Sequence, residues 1–193
     1  SGNLAGHLLV LGNSCRELTE SSFAGPHLLA GLQDTCQLLH DAAVKITDAP
    51  RTHIVTRKQL SNAVDATMVS LESLPVDSMD WAIRFNEWRA HARTVADIAE
   101  ALAQERQEDP EPALRIWADA FRAAVESHYR DAGILIPWAR LDPKHILELV
   151  QGLRDKAAEW MAIEKSLRVV PRLSDAPDRF ESVLLDLSLL RAR

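Results

Sequence analysis

A recurring apolar period of 3.6 residues constrains this chain more than any other feature of its sequence. The clearest stripe consists of Trp81, Phe85, Trp88, Ala92, Val95, Ala99 and Leu102. Similar stripes begin at Leu4, Leu28, Leu60, Leu114, Ile146 and Phe180. Each places its apolar residues on one side of a helix, and that side must pack against another such stripe. The pattern predicts an all-α fold, an antiparallel helical bundle of about seven helices.

The first stripe contains a cysteine, and we expect all of it to face a core: Leu4, Leu8, Leu11, Cys15 and Leu18. The last stripe is short: Phe180, Leu184 and Leu187. The stripe that begins at Leu114 continues through Trp117, Phe121, Ala124 and His128.

Helix boundary signals agree with these stripes. Asp77 or Ser78 can cap a long helix that reaches about Glu108, a span of about 30 residues or 45 Å. Asp142, followed by proline, marks another helix start. Gly133 is typical of a helix C-cap. We interpret residues 134–136 as a buried connection rather than a strand.

Composition excludes several classes of protein. The chain has 193 residues, of which 47% are apolar and 26% charged, so it can bury a core and is not disordered. Its net charge is −6, from 28 acidic and 22 basic residues, which argues against a general nucleic-acid binder. Its apolar runs are too short to predict direct insertion into a membrane.

The metal-ligating residue types show no metal spacing. The seven histidines form no His-Glu-x-x-His motif, and no two lie three or four residues apart. Cys15 and Cys36 match no metal or redox motif. We interpret both as buried thiols, with a disulfide between neighbouring helices as the alternative. We therefore predict no metal and no cofactor.

No catalytic residue is assigned. Asp97 with Glu100, and Glu105 with Asp109, could imitate the acid pair of a glycosidase. No apolar wall surrounds them in the sequence, so we interpret them as part of a solvated face, and Glu126 likewise. The serines lack the Gly-x-Ser-x-Gly elbow, and no phosphate-binding glycine loop is present.

Four basic residues cluster in the long helical segment: Arg84, Arg89, His91 and Arg93. Acidic residues lie among them. We expect this cluster to form ion pairs within its own helix.

The tryptophans are candidates for sugar stacking or for core packing. Four occupy stripe positions, which favours the core: Trp81, Trp88, Trp117 and Trp160. Trp138 lies off every helical pattern. It is therefore a candidate surface or interface residue.

The opening residues, Ser-Gly-Asn-Leu-Ala-Gly-His-Leu-Leu-Val-Leu, resemble a Ser-Gly-Asn-Leu-Ala-Gly segment of bacterial cyclic β-1,2-glucan synthases. The Ile-Pro-Trp sequence at residues 136–138 is similar to a Leu-x-Pro-Trp feature of the same family. In that family a Val-Asp pair runs directly into the serine. Because this chain lacks an initiator methionine and starts at that serine, we expect it to be a piece of a longer protein.

This resemblance implies that residues 1–19 are a helix of an (α/α) toroid in the cyclising region, and that 20–193 form a helical bundle treated as one domain with them. The parent enzyme would make the glucan from UDP-glucose and close it by transglycosylation, with its catalytic carboxylates outside this chain. The implied location is the cytoplasmic side of the inner membrane, as part of a membrane-bound parent. The implied partners are other domains of the same polypeptide and, through them, β-1,2-glucan.

The resemblance also makes Asn3 and His7 candidates for hydrogen bonding at a substrate cleft or an interface of the parent enzyme. The alternative is that they only cap and pack the first helix. Two other functions stay open. One is a helical protein-interaction module with no enzymatic role, which a large exposed apolar patch would favour. The other is a free-standing all-α hydrolase, which the missing set of acid, base and nucleophile disfavours.

Overall fold

A computed structural model of the chain describes residues 2–46, 57–106, 112–137 and 157–192. These residues form seven α-helices: α1 (Gly2–Glu20), α2 (Pro26–Val44), α3 (Arg57–Ser70), α4 (Ser78–Arg106), α5 (Pro112–Leu135), α6 (Ala157–Leu167) and α7 (Ala176–Ala192). They contain no β-strand, only an isolated antiparallel bridge between Ser22 and Arg172. The all-α prediction is confirmed. In the described part of the chain, no helix combines the length and apolarity needed to cross a bilayer.

The chain divides into two compact units. The four-helix unit consists of Gly25–Val76 and Asp80–Asp131, and therefore holds α2, α3 and most of α4 and α5. The terminal unit consists of Ser1–Ala24, Asp77–Met79 and Ala132–Arg193.

In the four-helix unit, α2 and α3 are antiparallel, and so are α3 and α4. Gln33 Nε2 on α2 donates to Leu71 O just past the end of α3 (2.7 Å). Trp88 Nε1 on α4 donates to Ser70 O on α3 (3.2 Å), and Arg89 Nε on α4 donates to Glu126 on α5 (3.1 Å). Each pair of helices is joined by a second hydrogen bond. Arg57 on α3 donates to Val44 O on α2 (3.2 Å), Arg84 on α4 donates to Ser73 Oγ beyond the end of α3 (3.1 Å), and Arg93 on α4 donates to Glu126 on α5 (3.0 Å). In both the α2–α3 pair and the α3–α4 pair, contacts that lie later in the first helix are made to residues that lie earlier in the second. This is the antiparallel arrangement that short connections favour.

The core of the four-helix unit is built around an aromatic cluster on α4. Trp81, Phe85 and Trp88 are fully buried, with ring centroids 5.5 to 5.9 Å apart. Trp88 meets both of the other rings edge-on, a favourable arrangement of aromatic quadrupoles. Leu32 and Phe121 are buried in the same unit. The long α4 helix and the core positions of Trp81 and Trp88 are confirmed.

Helix α5 departs from the prediction in register and in length. Its most buried residues are Leu114, Ala118, Phe121, Val125 and Ala132, whereas the predicted stripe residues Trp117, Ala124 and His128 are only half-buried. The C-cap prediction is wrong, because Gly133 lies inside the helix, which continues to Leu135. The expected buried connection is also largely wrong, since Ile134 is on the helix and exposed.

The core of the terminal unit is smaller. Helices α6 and α7 pack together, with Ile163 and Val183 buried, and Ile136 is buried in this unit. The predicted α7 stripe is wrong at Leu184 and Leu187, which are 63% and 37% exposed, since Val183 takes the core position.

The expectation that the first stripe faces a core is wrong for the described residues. Every described side chain of α1 is exposed, including Leu4, Leu8, Leu11 and Leu18. Cys15 is exposed as well, which corrects the prediction of two buried thiols, while Cys36 is buried. The reason is that no described part of the chain packs along α1. The predicted helix start at Asp142 lies outside the described residues, as does the side chain of Trp160.

Candidate functional site

The three residues singled out from the sequence do not form one site in the described structure. Asn3 and His7 lie one helical turn apart on α1, and both are exposed. Neither side chain has a hydrogen-bond partner among the described residues. Trp138 lies outside the described residues. The cleft-or-interface role of all three stays a prediction.

The most tightly organised polar cluster joins α4 to α5. The Arg89 Nε donates to both carboxylate oxygens of Glu126 at 3.1 Å, and Arg93 donates to Glu126 Oε1 at 3.0 Å. The Arg89 guanidinium also lies over the Tyr129 ring, 3.8 Å from its centroid. The ring face attracts the cation, which holds Arg89 in place for its carboxylate.

The electrostatics of Glu126 follow from these contacts. Burial by itself would raise the pKa of its carboxyl. Hydrogen bonds from Arg89 and Arg93, and the charges of both, outweigh burial and hold the pKa below its ordinary value. Glu126 therefore stays ionised, which suits an ion-pair partner and not a general acid.

A charged cleft lies between the same two helices. It has a volume of about 460 Å³, and its lining consists of Arg93, Ala96, Asp97, Ala99, Glu100, Arg115, Ala118, Asp119 and Arg122. Opposite charges alternate along it, and Arg122 pairs with Asp119 at 2.9 Å. Glu100 accepts a hydrogen bond from Gln104 at 3.1 Å. The interpretation of Asp97 and Glu100 as a polar face agrees with this setting.

A second cleft, of about 300 Å³, lies between α2 and the end of α3. Its lining includes Gln33, Cys36 and Leu71. Cys36 is 1% exposed, and burial raises the pKa of its thiol to about 11. Because the thiolate is the reactive form, burial and the raised pKa lower the reactivity of Cys36.

A third cluster ties the start of α4 to the end of α6 within the terminal unit. Asp77 Oδ1 accepts from the Met79 amide at 2.9 Å, so Asp77 caps the helix as predicted. Its Oδ2 accepts from Arg168 at 2.7 Å. The Ser78 hydroxyl donates to Leu167 O, and the Ser78 amide donates to Arg168 O at 2.9 Å. We call this set the α4–α6 clasp.

The chemistry available in these clusters is that of pairing. In the described ranges, no group of three or more His, Cys, Asp or Glu side chains could hold a metal ion. The guanidinium and carboxylate groups that the structure brings together neutralise one another. Such an arrangement orders helices and gives a polar surface.

The prediction of pairing within one helix is correct for one part of the basic cluster and wrong for the other. Arg84 pairs with Glu87 at 3.0 Å along α4, whereas Arg89 and Arg93 pair across to α5. A signal for the second pairing exists in the sequence. Arg89 and Glu126 each directly follow a core residue, Trp88 and Val125, so both flank the contact between their helices.

The fold and these clusters define an all-α helical protein whose charged groups join antiparallel helices. The chain is similar to the cyclic beta-(1,2)-glucan synthase NdvB of Rhizobium meliloti (strain 1021), with 27% identity over an alignment of 160 residues that covers 81% of this chain. The chain spans 6% of the length of that protein. No protein-family model and no solved structure matches it. The similarity indicates relatedness to a glucan synthase.

Proposed function

We propose that this chain is a non-catalytic helical section of a cyclic β-1,2-glucan synthase. The parent polymerises glucose from UDP-glucose, and this section scaffolds the region that closes the chain by transglycosylation. The observation that carries the proposal is the similarity to NdvB along 81% of this chain. The opening Ser-Gly-Asn-Leu-Ala-Gly segment also supports it.

In this proposal, residues 1–19 belong to the (α/α) toroid of the parent and residues 20–193 form the attached helical bundle. The partners are other domains of the same polypeptide, on the cytoplasmic side of the inner membrane, and β-1,2-glucan reaches the section only through them. Asn3 and His7, exposed on α1, are the residues available to a neighbouring cleft. The paired charges of α4 and α5 support a scaffolding role, because they stabilise helix contacts.

The test uses the longer polypeptide that contains this section, supplied with radiolabelled UDP-glucose, with linear and cyclic products separated. Trp88→Ala removes a core side chain of the section, and we expect the fraction of cyclic product to fall while polymerisation continues. Val76→Ala, at a position 90% exposed, is the matched control and should leave the ratio unchanged. A longer polypeptide that makes no glucan, or a Trp88→Ala variant with an unchanged cyclic fraction, contradicts the proposal.

The non-catalytic part of the proposal has its own test. The isolated 193-residue chain is incubated with linear β-1,2-glucan, and we expect the substrate to be recovered unchanged. Release or cyclisation of glucan by the pure chain would show that the section carries catalytic groups.

The exposed leucines of α1 and α7 favour the second candidate, a helical module that binds another protein. Co-purification separates the two functions. A section of a synthase is recovered with the rest of the parent chain, whereas an independent module is recovered with a separate protein.

A further inference from the structure

Helix α1 carries an apolar face that nothing in the described structure covers. We call it the α1 leucine face; its members are Leu4, Leu8, Leu11, Cys15 and Leu18. Their spacing of four, three, four and three places them in one row, about 21 Å long at 1.5 Å per residue. The four leucines are 59 to 64% exposed. A continuous apolar row of this length on a soluble surface marks an interaction site.

The remainder of α1 is unusual for a helix exposed to solvent. No charged Asp, Glu, Lys or Arg occurs between Gly2 and Cys15, although exposed helices ordinarily carry such residues. Gly6 and Gly12 lie inside the helix, and a Cβ placed on either would meet no atom within 4 Å. Because glycine weakens a helix interior, these two residues lower the intrinsic stability of α1.

Within the described structure, α1 is held only near its C-terminal end. The Ser174 amide donates to Thr19 O at 2.9 Å, the Phe23 amide donates to Pro171 O at 3.3 Å, and Glu20 pairs with Arg172 at 3.8 Å. Most of the stability of a helix in a protein comes from tertiary packing of its apolar face, so we expect α1 to be stabilised by packing along its apolar row.

We propose that the α1 leucine face is the surface by which this section packs against an apolar helix of the same longer polypeptide, outside these 193 residues. This inference rests on the proposed function and adds the contact surface to it. The matched stretch is 6% of the length of NdvB, so most of that chain lies outside it. A covalently linked helix has an effective concentration of about millimolar, which favours it over a second copy of this chain. The uncharged row requires an apolar occupant and gives no ion pair to a charged one.

Cys15 lies within the row and serves as a probe of its cover. The rate of alkylation by N-ethylmaleimide is measured by mass spectrometry in the isolated chain and in the longer polypeptide. We expect Cys15 to react at least about tenfold more slowly in the longer polypeptide, because exposure controls the access of the reagent. Cys36 is the internal control, since it is buried and should react slowly in both.

Two variants test the face directly. Leu8→Asp should leave the urea midpoint of the isolated chain unchanged, because Leu8 is exposed there, and should restore Cys15 alkylation in the longer polypeptide. Ile116→Asp, at an equally exposed apolar position on α5, is the matched control and should leave Cys15 protected. Equal Cys15 rates in the isolated chain and the longer polypeptide would overturn the proposal.

The remaining outcomes are also decisive. Concentration-dependent protection of Cys15 in the isolated chain, with a dimer in sedimentation, would assign the face to a second copy and overturn the proposal. Rapid Cys15 alkylation in a synthase that makes cyclic glucan would refute the proposed contact surface, while the proposed function would still stand. Slow Cys15 alkylation in a longer polypeptide that makes no glucan would refute the proposed function, while the proposed contact surface would still stand.

Discussion

The Trp88 indole contributes both packing and a hydrogen bond to the four-helix unit. Its Nε1 donates to Ser70 O, the last residue of α3, at 3.2 Å, and its ring packs edge-on against Trp81 and Phe85. The last carbonyls of a helix have no partner within that helix, so a buried one needs an outside donor. Trp88 supplies this donor from the neighbouring helix.

Trp88→Phe keeps an aromatic ring and removes the donor. We expect the free energy of unfolding to fall by about 1 to 3 kcal/mol, because Ser70 O is left buried without a partner and the ring is smaller. Urea unfolding followed by circular dichroism measures the change. Val76→Ala, on an exposed side chain, should stay within about 0.5 kcal/mol of the unmodified chain. A Trp88→Phe midpoint equal to the control would show that the hydrogen bond contributes nothing.

Two titratable residues make stability depend on pH in the same direction. Burial lowers the pKa of His128 below its ordinary 6.5, against the opposing charge of Asp131, so the unfolded imidazole takes up its proton first. The pKa of Glu126 lies below its ordinary 4.5, so its folded carboxyl also binds fewer protons than the unfolded one. Because the unfolded state binds more protons in each case, stability falls as the pH falls.

We expect His128→Gln to remove part of the loss of stability that begins below pH 6.5, and Glu126→Gln to remove part of the loss that begins below pH 4.5. Unfolding free energies measured from pH 7.5 to the acid limit check both windows. A steeper acid loss in either variant would reverse the sign of the argument.

At the scale of elements, the α4–α6 clasp joins the start of α4 to the end of α6 through one ion pair and two further hydrogen bonds. Asp77 acts twice, as the cap of α4 and as the partner of Arg168. Arg168 also pairs with Glu164 at 2.8 Å, and these two hydrogen bonds raise the pKa of the guanidinium. Arg168 is half exposed, so water weakens both of its ion pairs.

Asp77→Ala should therefore cost more than Arg168→Gln. The first removes the cap, which contributes about 0.5 to 2 kcal/mol, together with the ion pair. The second removes exposed ion pairs that contribute at most about 1 kcal/mol. A double-mutant cycle on the free energy of unfolding isolates the pair. An Arg168→Gln cost that exceeds the Asp77→Ala cost would show that the cap is unimportant.

At the scale of the whole molecule, burial is distributed unevenly between helices. Helices α2 to α5 each bury a row of side chains, whereas α1 buries none of its described side chains. Hydrogen-exchange mass spectrometry should therefore show α1 amides exchanging at least about tenfold faster than those of α4 between Trp81 and Trp88. Equal protection in the isolated chain would mean that α1 is already packed there, which would contradict its exposed position.

Local sequence chemistry was sufficient for the helices themselves. The period of 3.6 residues predicted an all-α fold, the long α4 helix and the buried positions of Trp81 and Trp88, since an apolar stripe has few other stable arrangements. The cap at Asp77 followed from the preference of carboxylates for free amides at a helix start. The prediction of a C-cap at Gly133 was wrong because a glycine is tolerated inside a helix whose packing continues on both sides of it.

The sequence by itself determined that the chain is helical and which side of α4 is apolar, because these properties depend on neighbours within a turn or two. Only the tertiary structure decided whether an apolar side is covered. The stripe of α4 is buried and that of α1 is exposed, although the two read alike in the sequence. Likewise, only the packing of α4 against α5 brought Glu126 to Arg89 and Arg93. Burial and ion pairing depend on residues far apart in the chain, so the spacing along a single helix indicates which residues flank a contact but not which partner they meet.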